Sequence, residues 1–342
     1  MKPSSASSQP TTESQRVAFL DGLRGIAALA VVFYHYLAYW PQKTELLGYP
    51  GDLKPFFDGG NAGVQLFFMI SGFVIFMTLE KCSKLTEFWA RRWIRLFPAM
   101  LAATMLLLIF GNLLPNYPGP AKLSDALPGL IFTPPPVLET LFGYTSESLD
   151  SAFWTLYVEA QFYILAGGFY FIFKGKTLEA LFATAIGLKV LGYCFPAAMT
   201  EYGSFLFNVQ SIFAHLPWFL VGMAFYKFSQ DRTKRWNLVF LLLTFALILL
   251  QGGFMRHLAM RLVLLALFSA AFFVPLAARV LSARPLLFLG FISYPLYLTH
   301  QNLGIGLMIA TPLPLDGAWS YLKPIGMIIL AIALAYAIAK GI

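Results

Sequence analysis

Charge is what this sequence has least of. Only 12% of its 342 residues are Asp, Glu, Lys or Arg, against 58% that are hydrophobic. Soluble domains carry about 25% charged residues, so a water-soluble fold would lack the side chains to cover its surface. A bilayer-embedded chain needs no such cover, because lipid is its solvent. Cysteine is scarce too. Cys82 and Cys194 are the only two; one falls in a basic loop and the other near the opposite end of an apolar run. A disulfide between them is not expected, and without a CxxC spacing neither is a metal site. The net charge of +8 does not indicate nucleic acid, since the cations stand in short loops and form no continuous patch.

What is present is apolar length. Mean hydropathy is +0.70. Ten apolar segments stand out, at 18–40, 62–79, 96–114, 154–173, 178–196, 205–226, 237–251, 258–278, 286–310 and 320–340. Each approaches the ~20 residues that a helix needs to cross a bilayer. Lys189 interrupts the fifth and the seventh is short. The expected fold is all-α: a polytopic transmembrane helix bundle with ten spans. Residues 1–16 are rich in Ser, Thr, Gln and Pro and read as a disordered tail, leaving 17–342 as one transmembrane domain. The first apolar run, from Val17 to Trp40, ends on bulky aromatics where a secretory signal would have a small-residue cleavage site, so it reads as an uncleaved span.

Lys and Arg set the expected orientation. Seventeen lie in one set of connecting segments, among them Lys81, Lys84, Arg91, Arg92, Arg95, Lys227 and Lys234, and six in the other. The asymmetry places both termini in the cytoplasm, and the long connection 115–153 outside. Long loops in compact bundles often carry binding function.

Ionisable residues inside apolar spans are costly and invite a functional reading. Arg24 and His35 are eleven residues apart, almost three helical turns, so they share a face about 16 Å apart along the axis. A topology anchor and a hydrogen-bonded buried histidine would explain them equally well. Arg92 and Arg95 are i,i+3 neighbours in a stretch flanked by Trp89 and Trp93. They read either as interfacial anchors or as a phosphate clamp, and both can hold. Glu159 follows Trp154 in WTLYVEAQFY. It is a candidate acid, base or histidine-orienting group, or else a partner for another helix. Ser293, Tyr297 and His300 form one stripe at i, i+4, i+7. The rings of Trp154, Tyr163 and Tyr297, close to these groups, are candidates for substrate contact. His215 and His257 lie near span ends and read as interfacial. Gly63 and Gly72 suit close helix approach, with Ser71 free to bond a neighbouring helix.

Five stretches in order, LDGLRGIAALAVVFYH (20–35), GVQLFFMISGF (63–73), FWARRWIRLFPA (88–99), WTLYVEAQFY (154–163) and ISYPLYLTHQ (292–301), together resemble the bacterial membrane acyltransferase-3 family. That family includes O-antigen, exopolysaccharide and Nod-factor O-acetyltransferases. The resemblance implies a stand-alone acyltransferase of the inner membrane. It implies acyl-CoA, commonly acetyl-CoA, as donor and a glycan or lipid-linked saccharide as acceptor, with no metal. It makes His35 the catalytic histidine and Arg24 its motif partner on the donor side. Arg92 and Arg95 become the RxxR pair that engages acyl-CoA, Glu159 the acidic position and His300 a late histidine. A transporter of a glycan or lipid-linked sugar is the competing reading. It also predicts many spans and buried polar groups, although no internal repeat is visible.

Overall fold

The computed structural model describes residues 12–195, 210–251, 255–313, 315 and 317–342. All regular structure among them is helical. In chain order the helices are α1 Thr12–Phe33, α2 Lys54–Phe57, α3 Gly63–Leu79, α4 Leu85–Leu113, α5 Ala126–Leu130, α6 Pro135–Phe142, α7 Trp154–Phe173, α8 Thr177–Cys194, α9 Ile212–Gln230, α10 Arg235–Leu249, α11 Met255–Phe273, α12 Pro275–Leu281, α13 Arg284–Thr299, α14 Asn302–Ala310 and α15 Leu322–Gly341. Each of the ten apolar segments coincides with one of these helices or with an interrupted pair. Residue 196 of the fifth segment and residues 205–209 of the sixth lie outside the described residues.

By length and composition, five helical stretches are able to cross a membrane: Ala18–Gln42, Lys54–Leu79, Leu85–Leu113, Ser151–Cys194 and Gly317–Gly341. A sixth is added if His257–Phe273 and Pro275–Leu281, bent by 99°, count as one broken span. The bend is local in origin, since Pro275 lacks the N–H that a continuing helix would use. Helix α1 begins at Thr12, within the stretch expected to be a tail; residues 1–11 lie outside the described residues.

Two crossings organise the bundle, and glycine makes both possible. On α1 and α13, a Cβ added at Gly25 would stand 2.8 Å from the Leu286 carbonyl oxygen, and one at Gly290 2.1 Å from that of Asp21. On α3 and α9 the arrangement is reciprocal. A Cβ at Gly72 would meet the Phe219 carbonyl at 2.0 Å, and one at Gly222 the Met69 carbonyl at 1.9 Å. Small residues let helix backbones approach where lipid supplies no hydrophobic drive. The first crossing places the end of α1 beside the end of α13, which positions the site. One core joins α1, α3, α4, α7 and α9, and a second joins the ends of α1, α13, α14 and α15 through Tyr36, Ile292, Leu296, Ile305 and Ala331.

The connection between α4 and α7 does not stand free. Gly129 packs near Met100, midway along α4, and the Phe132 ring meets Trp93 edge-on at 5.4 Å. Asp125 is buried and accepts the Glu147 N–H at 2.9 Å, closing the excursion on itself.

Candidate active site

Helix α1 does not end as an α-helix. From Tyr34 to Tyr39 it widens into a π-helix that contains His35. Such i→i+5 segments are rare and are found most often at functional sites. Tyr49 supports this one by donating its hydroxyl to the Tyr36 carbonyl at 2.7 Å. Burial, and then the neighbouring Tyr321, pushes the Tyr49 phenol well above its ordinary value, so it remains a donor. Tyr36 in turn donates to the His300 carbonyl at 2.6 Å.

The two intramembrane-type histidines meet. His300 Nε2 lies 3.0 Å from His35 Nδ1. His300 is fully buried, while His35 is partly buried and edged by the Tyr34 and Tyr39 rings at 5.0 and 5.9 Å. The proton inventory follows from the neighbours. His300 Nδ1 faces the carbonyls of Tyr297 at 2.8 Å and Leu296 at 3.2 Å. Carbonyls only accept, so Nδ1 carries hydrogen. With no carboxylate in contact among the described residues, the buried ring is neutral, and its Nε2 is a bare acceptor. The hydrogen between the rings therefore belongs to His35 Nδ1. A neutral His35 is left with an unprotonated Nε2, the atom a general base needs.

On the other side of Tyr297 lies a cavity of about 80 Å³. Arg24, Arg95, Glu159, Ser71, Tyr163 and Tyr297 all line it. Arg24 is bound to Asp21 at 2.9 Å. Glu159 Oε1 accepts from Ser71 Oγ at 2.5 Å and from Tyr163 Oη at 2.7 Å. The Tyr297 hydroxyl donates to the Ala152 carbonyl at 3.1 Å and receives the Thr155 hydroxyl at 3.0 Å. Its ring stands as a wall between the cavity and His300, 5.6 Å from the imidazole.

The structure separates some residues that the sequence placed together. Arg92 does not share Arg95's cavity. It is buried, donates to the Thr78 hydroxyl and lies over the rings of Phe88 and Tyr163 at 5.7 and 5.9 Å. It faces a different, apolar groove with Trp89, Trp93 and Phe132. Trp154 lies away from the cavity as well, against His215 at 5.1 Å and Phe68 at 6.2 Å. Glu159 bonds helices α3 and α7 and does not touch either histidine. Its partner on α3 is Ser71. Tyr36, whose hydroxyl reaches the His300 carbonyl, carries no sequence signal as an individual residue. Among the described residues no group of three His, Cys, Asp or Glu side chains is arranged to hold a metal.

Among the described residues, apolar helices, five stretches of them long enough to cross a membrane, enclose an imidazole pair near a cavity lined by two guanidinium groups. The sequence profile of the acyltransferase domain, acyltransferase-3 type, matches residues 17–340, and the chain belongs to that family. Similar proteins include the peptidoglycan O-acetyltransferase OatA of Listeria monocytogenes, 27% identical over 197 residues, covering 51% of this chain and 28% of that protein. The acyltransferase MdmB of Streptomyces mycarofaciens is 26% identical over 55% of this chain and 48% of its own length. The O-acetyltransferase OatA of Staphylococcus aureus is 28% identical over 43% of this chain and 23% of its own length. The matched region is thus less than half the length of each of these relatives. No solved structure matches the chain.

Proposed function

We propose that this protein is an integral membrane O-acyltransferase of the bacterial inner membrane. It moves an acyl group, acetyl in the first instance, from cytoplasmic acyl-CoA to a hydroxyl of a cell-surface or exported glycan. The observation that carries the reading is the His35–His300 pair at 3.0 Å, whose neighbours leave His35 Nε2 bare. The family and the O-acetyltransferase relatives support the reaction class. The ten-span bundle with both termini in the cytoplasm belongs to the same proposal and rests on the Lys and Arg asymmetry.

His35 Nε2 takes the proton of the acceptor hydroxyl as that oxygen bonds to the thioester carbonyl carbon. When the carbon–sulfur bond breaks, the same nitrogen returns the proton to the thiolate. His300 holds the His35 ring in the required tautomer and accepts from Nδ1 as positive charge builds on the imidazole. Arg95, exposed at the cavity mouth, and Arg24 suit the phosphates of the donor. The residues present fit the phosphate end of acyl-CoA. At about 80 Å³ the cavity is narrower than the rest of the donor needs, so Tyr297 or Tyr163 moves aside during turnover. Tyr34 and Tyr39 beside His35 provide ring faces for a sugar.

The decisive experiment compares wild-type and His35→Ala protein at matched membrane expression, with labelled acetyl-CoA as donor and the cell-envelope glycan fraction as acceptor. General-base catalysis contributes about 10²- to 10⁴-fold, and a loss of that size is expected. Full activity in His35→Ala sinks the mechanism. Stable labelled acetyl on the protein replaces direct transfer with an acyl-histidine route. A purified protein that neither binds nor consumes acetyl-CoA favours the transporter reading.

A further inference from the structure

The chain should run straight from α13 into α14, but it breaks at Gln301, whose ψ of −83 leaves the helical range. Helical bonding resumes at once, with Gly304 N–H on the His300 carbonyl and Ile305 N–H on that of Gln301. Two ladder bonds are missing: the Gln301 N–H, due to the Tyr297 carbonyl, and next to it the Asn302 N–H, which a continuous helix would give to the Leu298 carbonyl. Here the latter goes to Asp150 Oδ2 at 2.8 Å. The other oxygen of the same carboxylate accepts the Ala152 N–H at 2.8 Å, at the entrance to α7. Capping α7 needs only one oxygen. The second reaches a helix start 152 residues further along the chain. Asp150 is 1% exposed and has no cation within 4 Å among the described residues. Two helix N-termini, where N–H groups converge, hold it in place of a counter-ion. Neighbouring bonds join the same two segments: Asn302 Nδ2 to the Leu149 carbonyl at 2.9 Å, and Gln301 Nε2 to Ser151 Oγ.

The break matters to the site because of what it does to carbonyls. In a continuous helix the Tyr297 carbonyl accepts the N–H four residues on. At the break it accepts the His300 imidazole Nδ1. We propose that Asp150 is a positioning residue for the histidine pair: by drawing the Asn302 N–H out of the helical ladder it makes the break that gives His300 its carbonyl partner and aims Nε2 at His35. This rests on the functional reading above, and the test separates the two.

The test is a double-mutant cycle in the full chain, with acetyl-CoA as donor and envelope glycan as acceptor. Asp150→Asn keeps the shape and turns one oxygen toward an N–H as a donor. It is expected to lower turnover about 10- to 100-fold, the scale of an ångström misplacement, while leaving the acetyl-CoA KM within about twofold. Acting through His300, it should add less than about threefold to the loss already present in His300→Gln. Losses that multiply overturn the proposal, as does an unimpaired Asp150→Asn. A rescue gives the second readout. Proline in Asn302→Pro has no N–H to return to Leu298 and cannot continue the ladder, so it keeps the break without the carboxylate. Combined with Asp150→Asn it should recover activity at least about fivefold; a further loss counts against the break as the agent. Should Asp150→Asn melt before assay, Asp150→Glu, which keeps the charge one methylene out of place, carries the same cycle. If His35→Ala is itself active, the functional reading fails; if it is dead and the Asp150 and His300 losses multiply, only this inference fails.

Discussion

Arg92 and Arg95 are three residues apart on one helix, yet their surroundings differ completely. Arg95 is exposed and lines the cavity that holds Arg24 and Glu159. Arg92 is 7% exposed, committed to Thr78 and two aromatic faces, and its Nε has no partner among the described residues. Removing them should therefore do different things. Arg95→Ala is expected to raise the acetyl-CoA KM about tenfold with a smaller effect on turnover, the value of one charge-assisted hydrogen bond to phosphate. Arg92→Ala should instead lower stability, by about 1–3 kcal/mol, because it empties a buried contact between α3, α4 and α7. Steady-state kinetics and thermal melting in detergent distinguish them; an unchanged KM in Arg95→Ala removes it from the donor site. The i,i+3 spacing was legible in the sequence. The division of labour was not, since it depends on Tyr163 of α7 coming between the two guanidinium groups.

At the scale of helices, hydropathy was a good guide to where they lie and a poor one to how they end. In their described residues the ten apolar segments are helical because nothing but internal hydrogen bonding satisfies a backbone in an apolar setting. Two irregularities inside those segments decide the site: the π-helix at Tyr34–Tyr39 and the break at Gln301. Apolar periodicity is blind to both, because each is a local change in which carbonyl a given N–H chooses. The crossings are easier to foresee, since glycine pairs such as Gly72 and Gly222 mark them. Gly72→Ala, whose Cβ would stand 2.0 Å from the Phe219 carbonyl, should cost about 1–3 kcal/mol by overpacking. Gly168→Ala meets nothing within 4 Å and should be neutral or stabilising, since alanine is the better helix former. Melting temperatures of the two variants give the comparison, and equal midpoints would contradict the packing at this crossing.

At the scale of the whole molecule, the uneven distribution of Lys and Arg predicts an orientation that cysteine labelling reads directly. Lys84 and Lys122 are both exposed, before α4 and after it. In a chain with Cys82 and Cys194 replaced by alanine, a membrane-impermeant maleimide should label Lys122→Cys in intact cells, and Lys84→Cys only after the membrane is opened. The reverse pattern inverts the topology, and with it the face on which Arg95 meets its donor.

By itself the sequence determined the solvent this protein folds in, the position of its helices and the family to which it belongs. Those properties follow from composition and from short motifs, each contained within a single segment. Only the tertiary structure decided that His35 is paired with His300 and not with Glu159, and that Arg92 turns away from Arg95. It also assigned Asp150 to a helix start far along the chain. These partners lie from 14 to 265 residues apart and are joined by one to three hydrogen bonds each. Hydrophobic patterning says which face of a helix is buried, but the pairing of polar atoms depends on which helices glycine allows to approach and where their ladders open.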